Sequence, residues 1–74
     1  MKVNVKLIGL FRAGRFERED REYPPGSKVR AVVADLQLPP QHFGIVLVNG
    51  VHADVETILA EGDRVVIMPI IGGG

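Results

Sequence analysis

Ser27-Lys28-Val29-Arg30-Ala31-Val32-Val33-Ala34-Asp35-Leu36-Gln37 is the stretch on which the fold turns, because its apolar period differs from that of its flanks. Val29, Val32, Val33 and Leu36 stand at i, i+3, i+4 and i+7, one stripe of a helix, while Lys28, Arg30, Asp35 and Gln37 fall mostly elsewhere. The spacing predicts one amphipathic helix over about 27–37. Ser27 stands where an N-cap belongs, its hydroxyl placed to accept from a free backbone N–H one turn on. Pro39-Pro40 closes the segment, since a proline ring biases the preceding residue away from helical dihedrals. Valine is a mediocre helix former, so this helix is weak in isolation and needs a sheet against which to pack its stripe.

The flanks supply that sheet. Upstream, Val3, Val5 and Leu7 alternate with Lys2, Asn4 and Lys6, the period of a half-buried strand, and Ile8, Leu10 and Phe11 extend it. Arg12-Ala13-Gly14-Arg15 reads as a turn. Residues 16–23 then place Glu17, Arg18, Glu19, Asp20, Arg21 and Glu22 between two aromatics. Such dense charge suits an edge strand returning antiparallel to the first, because it keeps the exposed edge from recruiting other chains; a solvated loop is the alternative. Downstream, residues 45–48 are apolar, and Asn49-Gly50 before Val51-His52 signals a hairpin, both turn residues tolerating positive φ. Residues 54–60 suit a single helical turn capped by Asp54, and Glu61-Gly62-Asp63 turns the chain into Arg64-Val65-Val66-Ile67-Met68-Pro69-Ile70-Ile71, strand-like on both faces.

No repeat is visible. The order predicts an α+β fold of two layers, a mixed four- to five-stranded sheet packed on one helix. The domain covers residues 1–71 and a flexible glycine tail covers 72–74. Its expected core is Val29, Val32, Val33 and Leu36 against Val3, Val5, Leu7, Ile67 and members of 45–48.

Composition limits function. The 74 residues make one small domain with an expected radius of gyration of roughly 11 Å, so a pocket walled on all sides would consume most of the core. That points away from an enzyme and toward a surface or a terminus. A 46% hydrophobic content excludes disorder, and nine Lys+Arg against nine Asp+Glu leave no net field to hold nucleic acid. There is no cysteine, hence no disulfide, thiolate nucleophile or cysteine metal site. Residues 1–6 lack the apolar core of a signal peptide, and no run approaches a bilayer span, so the expected location is the cytoplasm, away from membranes.

Conventional chemistry is hard to build from these residues. His42 and His52 lie apart with no cysteine or second histidine at helical spacing, which suits ordinary surface positions and no metal site. The carboxylates Glu17, Glu19, Asp20 and Glu22 have Arg15, Arg18 and Arg21 as neighbours and no dry pocket for general acid work. Gly72-Gly73-Gly74 precedes no helix and so forms no phosphate loop. After an apolar strand, three glycines form a tail that cannot pack. Extended, residues 71–74 reach about 13 Å, and without Cβ atoms they can thread a slot too narrow for other residues. Such a tail suits a carboxylate delivered into another protein's active site; a frayed end or a cloning remnant is the plainer alternative.

Here the sequence resembles a family. Leu59-Ala60-Glu61-Gly62-Asp63-Arg64-Val65-Val66-Ile67-Met68-Pro69-Ile70-Ile71-Gly72-Gly73-Gly74 is similar to the end of the ThiS/MoaD sulfur-carrier proteins, small ubiquitin-like β-grasp domains. Val48-Asn49-Gly50, Pro25-Gly26-Ser27 and residues 3–10 continue the likeness over nearly the whole chain. The resemblance implies that a separate adenylating enzyme of the ubiquitin-activating type uses ATP to activate the Gly74 carboxylate, that Gly72 and Gly73 serve tail recognition, and that a thiocarboxylate then forms. Its sulfur would serve thiamine or molybdopterin synthesis. The chain would be a protein co-substrate, with no bound cofactor, a sulfur donor protein and a sulfur-acceptor synthase as further partners, and a monomer when free. Residues 11–16 form a tight turn closer to ThiS, whereas Met68-Pro69-Ile70 resembles the Phe-Pro-Pro stretch of MoaD. A tRNA-thiolation carrier or an isopeptide-forming modifier of the ubiquitin-related kind would share the same ending, and a β-grasp interaction module that docks by its sheet and is never activated is the alternative that needs no free terminal glycine.

A single helix covers one face of a sheet. Arg64 marks its own alternation set as outward, so Val66, Met68 and Ile70 are candidates for a partner-binding patch beside the tail, unless a loop covers them. Charge is also uneven: residues 2–30 carry about +4 and residues 31–74 about −4, enough for a dipolar surface if the fold keeps the two apart.

Overall fold

The computed structural model describes residues 1–38 and 43–69. Along the chain come strand β1 (Lys2–Leu7), a 3-10 turn η1 (Gly9–Arg12), β2 (Arg18–Glu22), helix α1 (Val29–Asp35), β3 (Phe43–Val48), β4 (Val51–Ala53) and β5 (Arg64–Pro69). One five-stranded sheet has the order β2-β1-β5-β3-β4. β5 runs parallel to β1 and antiparallel to β3, and the two outer pairs are antiparallel. The Cα radius of gyration is 11.5 Å, as the length implies.

Alternation sorts the strands into two faces. Val3, Val5 and Leu7 of β1, Val65 and Ile67 of β5 and Val46 of β3 are buried toward α1, where Val29 and Val32 meet them. Phe11, Tyr23, Leu38 and Leu59 complete the core from loops and element ends. Val33 and Leu36, expected in the core, are only partly buried at its margin.

β1 is shorter than its apolar run. The Ile8 amide still donates to Ile67 O at 3.1 Å, but Gly9 adopts φ 64°, which ends the extended backbone. The following turn swings Phe11 fully under the sheet's end, so it is core without being strand. The charged segment does form edge strand β2. Arg21, on its helix-facing side, donates through Nη2 to Asp35 Oδ2 at 3.0 Å and lies 5.6 Å from the Phe16 ring centroid, while the Tyr23 hydroxyl donates to the same Asp35 oxygen at 3.0 Å. Edge strand and helix are thereby pinned together.

α1 is shorter than the pattern suggested, and Ser27 is not its cap. Ser27 Oγ donates back to Pro24 O at 2.7 Å, and the first helical amides find backbone partners instead: Val29 N donates to Thr57 O and Arg30 N to Val55 O, each at 2.9 Å. A neighbouring segment thus satisfies donors that a side chain would otherwise serve. At the other end Gln37 takes φ 53°, with Gln37 N donating to Ala34 O and Leu38 N to Val33 O. That paired closure with buried Leu38 is a Schellman motif, complete before the prolines, which lie outside the described residues. Arg15 adds side-chain donors to Leu36 O and Gln37 O, both at 3.1 Å.

The hairpin holds as predicted, with Asn49 at φ 52° and Gly50 at φ 81°. The segment after β4 is a turn rather than a helical turn; Asp54 Oδ1 accepts from the Glu56 amide at 2.8 Å. The two charge halves interleave, since Glu56 pairs with Lys28 and Arg30 and Asp35 with Arg21, so the sequence-level dipole does not survive folding.

Candidate functional site

β5 occupies the centre of the sheet and leads toward the glycines. Val5 and Leu7 of β1 stand opposite Val65 and Ile67 on one side, and Val46 and Val48 of β3 stand opposite Ile67 and Val65 on the other. A register shift between Phe43 and Ile45 accompanies the end of the β3–β5 ladder at Pro69. Ile70, Gly72, Gly73 and Gly74 lie outside the described residues, as does His42.

On β5 the structure places Val65 and Ile67 fully inside and Arg64, Val66 and Met68 on the face away from α1, with Val66 and Met68 half-buried. Met68 stands opposite Ile45 and Val66 opposite Leu47, so β3 contributes half of a four-residue apolar patch. Ile45 is 40% exposed, high for a large aliphatic side chain in a strand. The sequence reading missed Ile45 and Leu47; their alternation with Val46 and Val48 separates the two faces of β3, but only the register pairs them with Met68 and Val66.

Polar residues border this patch. The same face carries Lys2, Asn4 and Lys6 of β1, opposite Glu22, Asp20 and Arg18 of β2, and Arg64 opposite Asn4. Beside the hairpin is an open groove of about 430 Å³ lined by Arg18, Asn49, Gly50, Arg64 and Val66. Asn49 fixes one wall: its side-chain oxygen accepts from Arg64 N and its side-chain nitrogen donates to Asp63 Oδ1, both at 2.9 Å. Arg18 Nη1 donates to Asn4 Oδ1 at 2.7 Å, and Asn4 Nδ2 donates onward to Asp20 Oδ1 at 2.9 Å.

This arrangement is suited to recognition. His52 is exposed at the edge of the sheet, and no group of metal-ligating side chains gathers among the described residues. Burial, and then the bond to Asp35, pushes the Tyr23 phenol up to about 12, which makes Tyr23 a locked structural donor. No helix among the described residues is long and apolar enough to cross a membrane.

Comparison with known proteins adds to this geometry. The sequence profile of the ThiS family matches residues 5–74. Among curated proteins none matches the chain significantly. A solved structure assigned as molybdopterin converting factor subunit 1 from Pyrococcus furiosus is 28% identical, with a TM-score of 0.78 over 96% of this chain and 99% of that one. Small archaeal modifier protein 1 from Haloferax volcanii gives a TM-score of 0.76 at 21% identity, over 95% and 98% of the two chains. A chain from the complex of subunits 1 and 2 of molybdopterin-converting factor from Helicobacter pylori gives 0.67 at 22%, over 100% of both. The last two likenesses concern the fold alone.

Proposed function

Since the chain belongs to the ThiS family, we propose that it is a sulfur carrier acting through the carboxylate of Gly74. The mixed five-stranded sheet with one helix is the ubiquitin-like β-grasp fold. The observation that carries the proposal is the family match through the glycines, on a fold whose central strand leads toward them.

An ionised carboxylate resists nucleophiles because it has no adequate leaving group. In the proposed reaction a separate adenylating enzyme binds ATP, the Gly74 carboxylate oxygen attacks the α-phosphorus, and pyrophosphate leaves. A sulfur nucleophile, formally hydrosulfide from a donor protein, then attacks the acyl carbon; a C–S bond forms, the C–O bond to AMP breaks, and a thiocarboxylate remains. Gly72 and Gly73 would let the tail enter a narrow channel. An acceptor synthase would take the sulfur for thiamine or molybdopterin synthesis, and the molybdopterin branch draws support from the Pyrococcus furiosus likeness. The carrier itself binds no cofactor in this scheme. Val66 and Met68, with Ile70, would dock the partners, and the Helicobacter pylori complex is a precedent for such a protein partner.

Intact mass spectrometry after incubation with ATP, an adenylating enzyme and a sulfur donor tests this reading. Exchange of one oxygen for sulfur, localised to Gly74, is expected in the full chain and not in a variant lacking Gly74 or extended beyond it. Sulfur transfer to an uncleaved extended chain would refute the mechanism. A second reading, a modifier joined to lysines by an isopeptide bond, fits the likeness to the archaeal modifier fold; it predicts adducts of the whole chain on other proteins in the same spectra.

A further inference from the structure

Once each cation is assigned a partner, the remainder collects in one place. Arg12 pairs with Glu17, Arg21 with Glu19 and Asp35, and Lys28 and Arg30 with Glu56. Arg15 is occupied by the carbonyl oxygens of Phe11, Leu36 and Gln37. Of the nine Lys and Arg residues, Lys2, Lys6, Arg18 and Arg64 remain without a carboxylate within bridging distance among the described residues, and all four lie on the face of the sheet away from α1. Lys2 stands opposite Glu22, and Arg18 donates only to the neutral Asn4 Oδ1, which leaves Lys6, Arg18 and Arg64 without a carboxylate partner among the described residues.

Their placement is unfavourable for the isolated domain. Lys6 and Arg18 are direct cross-strand neighbours, and like charges in that position destabilise a sheet. Lys6 is in turn opposite Val66, and Val66 opposite Leu47, so one continuous row reads Arg18, Lys6, Val66, Leu47. Arg18 and Arg64 both line the groove beside this row. Positive charge without a carboxylate partner among the described residues therefore abuts half-buried apolar surface.

We propose that this face takes an acidic, apolar-containing peptide segment of a partner protein: an Asp or Glu carboxylate sits between Arg18 and Arg64, and an adjacent apolar side chain covers Val66, Leu47 and Met68. The inference rests on the reading of this face as the partner-docking surface and adds the chemistry of the partner. Charge complementarity selects an acidic occupant, and the adjoining apolar row selects a peptide over a bare anion. A long polyanion such as RNA fits poorly, because it needs a track of cations, whereas Asp20 and Glu22 share the outward face of β2 with Arg18.

The test is a titration of the uniformly 15N-labelled full chain, without ATP or adenylating enzyme, with an acetylated, amidated hexapeptide alternating leucine and glutamate. Saturable amide shifts are expected at Lys6, Arg18, Leu47, Arg64 and Val66. Arg18→Glu with Arg64→Glu should weaken the peptide by about ten-fold or more, since two rim attractions become repulsions. Arg64→Gln alone should give a smaller loss and guards against misfolding of the double variant. Lys28→Glu with Arg30→Glu, an equal charge change on the helix layer, should leave affinity within about two-fold, because exposed charges beyond a Debye length are screened. Equal binding of a leucine–lysine peptide, equal binding of a serine–glutamate peptide or of inorganic triphosphate, or shifts confined to other surfaces would overturn the proposal. A chain that takes up sulfur at Gly74 yet ignores the leucine–glutamate peptide would overturn this inference alone and leave the carrier reading intact.

Discussion

Replacing Ile67 and Met68 separately by alanine probes the architecture most directly, because adjacent residues of the central strand face opposite ways. Ile67 is fully buried, between Leu7 of β1 and Val46 of β3. Ile67→Ala removes three carbons, about 2.4 kcal/mol at ~0.8 kcal/mol per buried methylene. The cavity left between two hydrogen-bonded neighbours cannot collapse fully and raises the loss to about 3–4 kcal/mol. A chain of this length has roughly 4–11 kcal/mol of stability in all, so the melting temperature should fall by about 12–30 °C. Met68 is half-buried on the open face, where solvent fills the space left by truncation, so Met68→Ala should cost about 1 kcal/mol or less. Urea denaturation followed by far-UV circular dichroism gives both values, with equal slopes confirming comparable unfolded states. Equal losses, or a larger loss at Met68, would refute the assignment of faces, and with it the docking surface.

Three further outcomes follow from particular contacts. The native Tyr23 phenol is pushed up to about 12 from an ordinary value of 10.0; below that window both states keep the proton, and above 10 the unfolded chain loses it first. Stability should therefore decline as pH rises across the window, and Tyr23→Phe should remove that part of the decline in melts taken through it. Arg15→Met keeps the aliphatic stem but removes the donors to Leu36 O and Gln37 O; a loss of about 1 kcal/mol is expected, with faster hydrogen exchange at the Gln37 and Leu38 amides as the local readout. Gly62→Ala meets no heavy atom within 4 Å, but φ is 83° there, so a cost of about 1–2 kcal/mol from backbone strain alone should appear in the same denaturation assay.

Where local pattern and tertiary packing agreed, the sequence was legible. The alternation of residues 2–7, the hairpin at Asn49-Gly50, the charged edge strand and the opposite faces of Ile67 and Met68 each rest on a periodicity or a turn preference that the fold keeps. The misreadings share a different cause, a partner distant in the chain. Ser27 looked like a cap because nothing local announces that Thr57 O and Val55 O will reach the helical amides. Phe11 looked like strand because apolarity alone does not separate a continued strand from a side chain tucked under its end. The apolar half of the candidate site was visible in β5, but its β3 half and the cationic border depend on register, which brings Leu47 and Lys6 to either side of Val66.

The parallel pairing of β1 with β5 also dictates when this chain can fold as the ribosome makes it. Val5 and Val65 are sixty positions apart, and β3 joins β1 only through β5. Until that strand has emerged, the nascent chain can form the β1–β2 and β3–β4 hairpins, but each has an apolar face with no shared sheet to belong to. At ~5–20 residues per second the wait lasts seconds, far longer than the microseconds in which a hairpin forms. The strand that leads toward the glycines is thus the keystone of the sheet. A polypeptide cut short ahead of β5 would have its β1–β2 and β3–β4 halves unjoined, so commitment to the native fold waits for the synthesis of this strand.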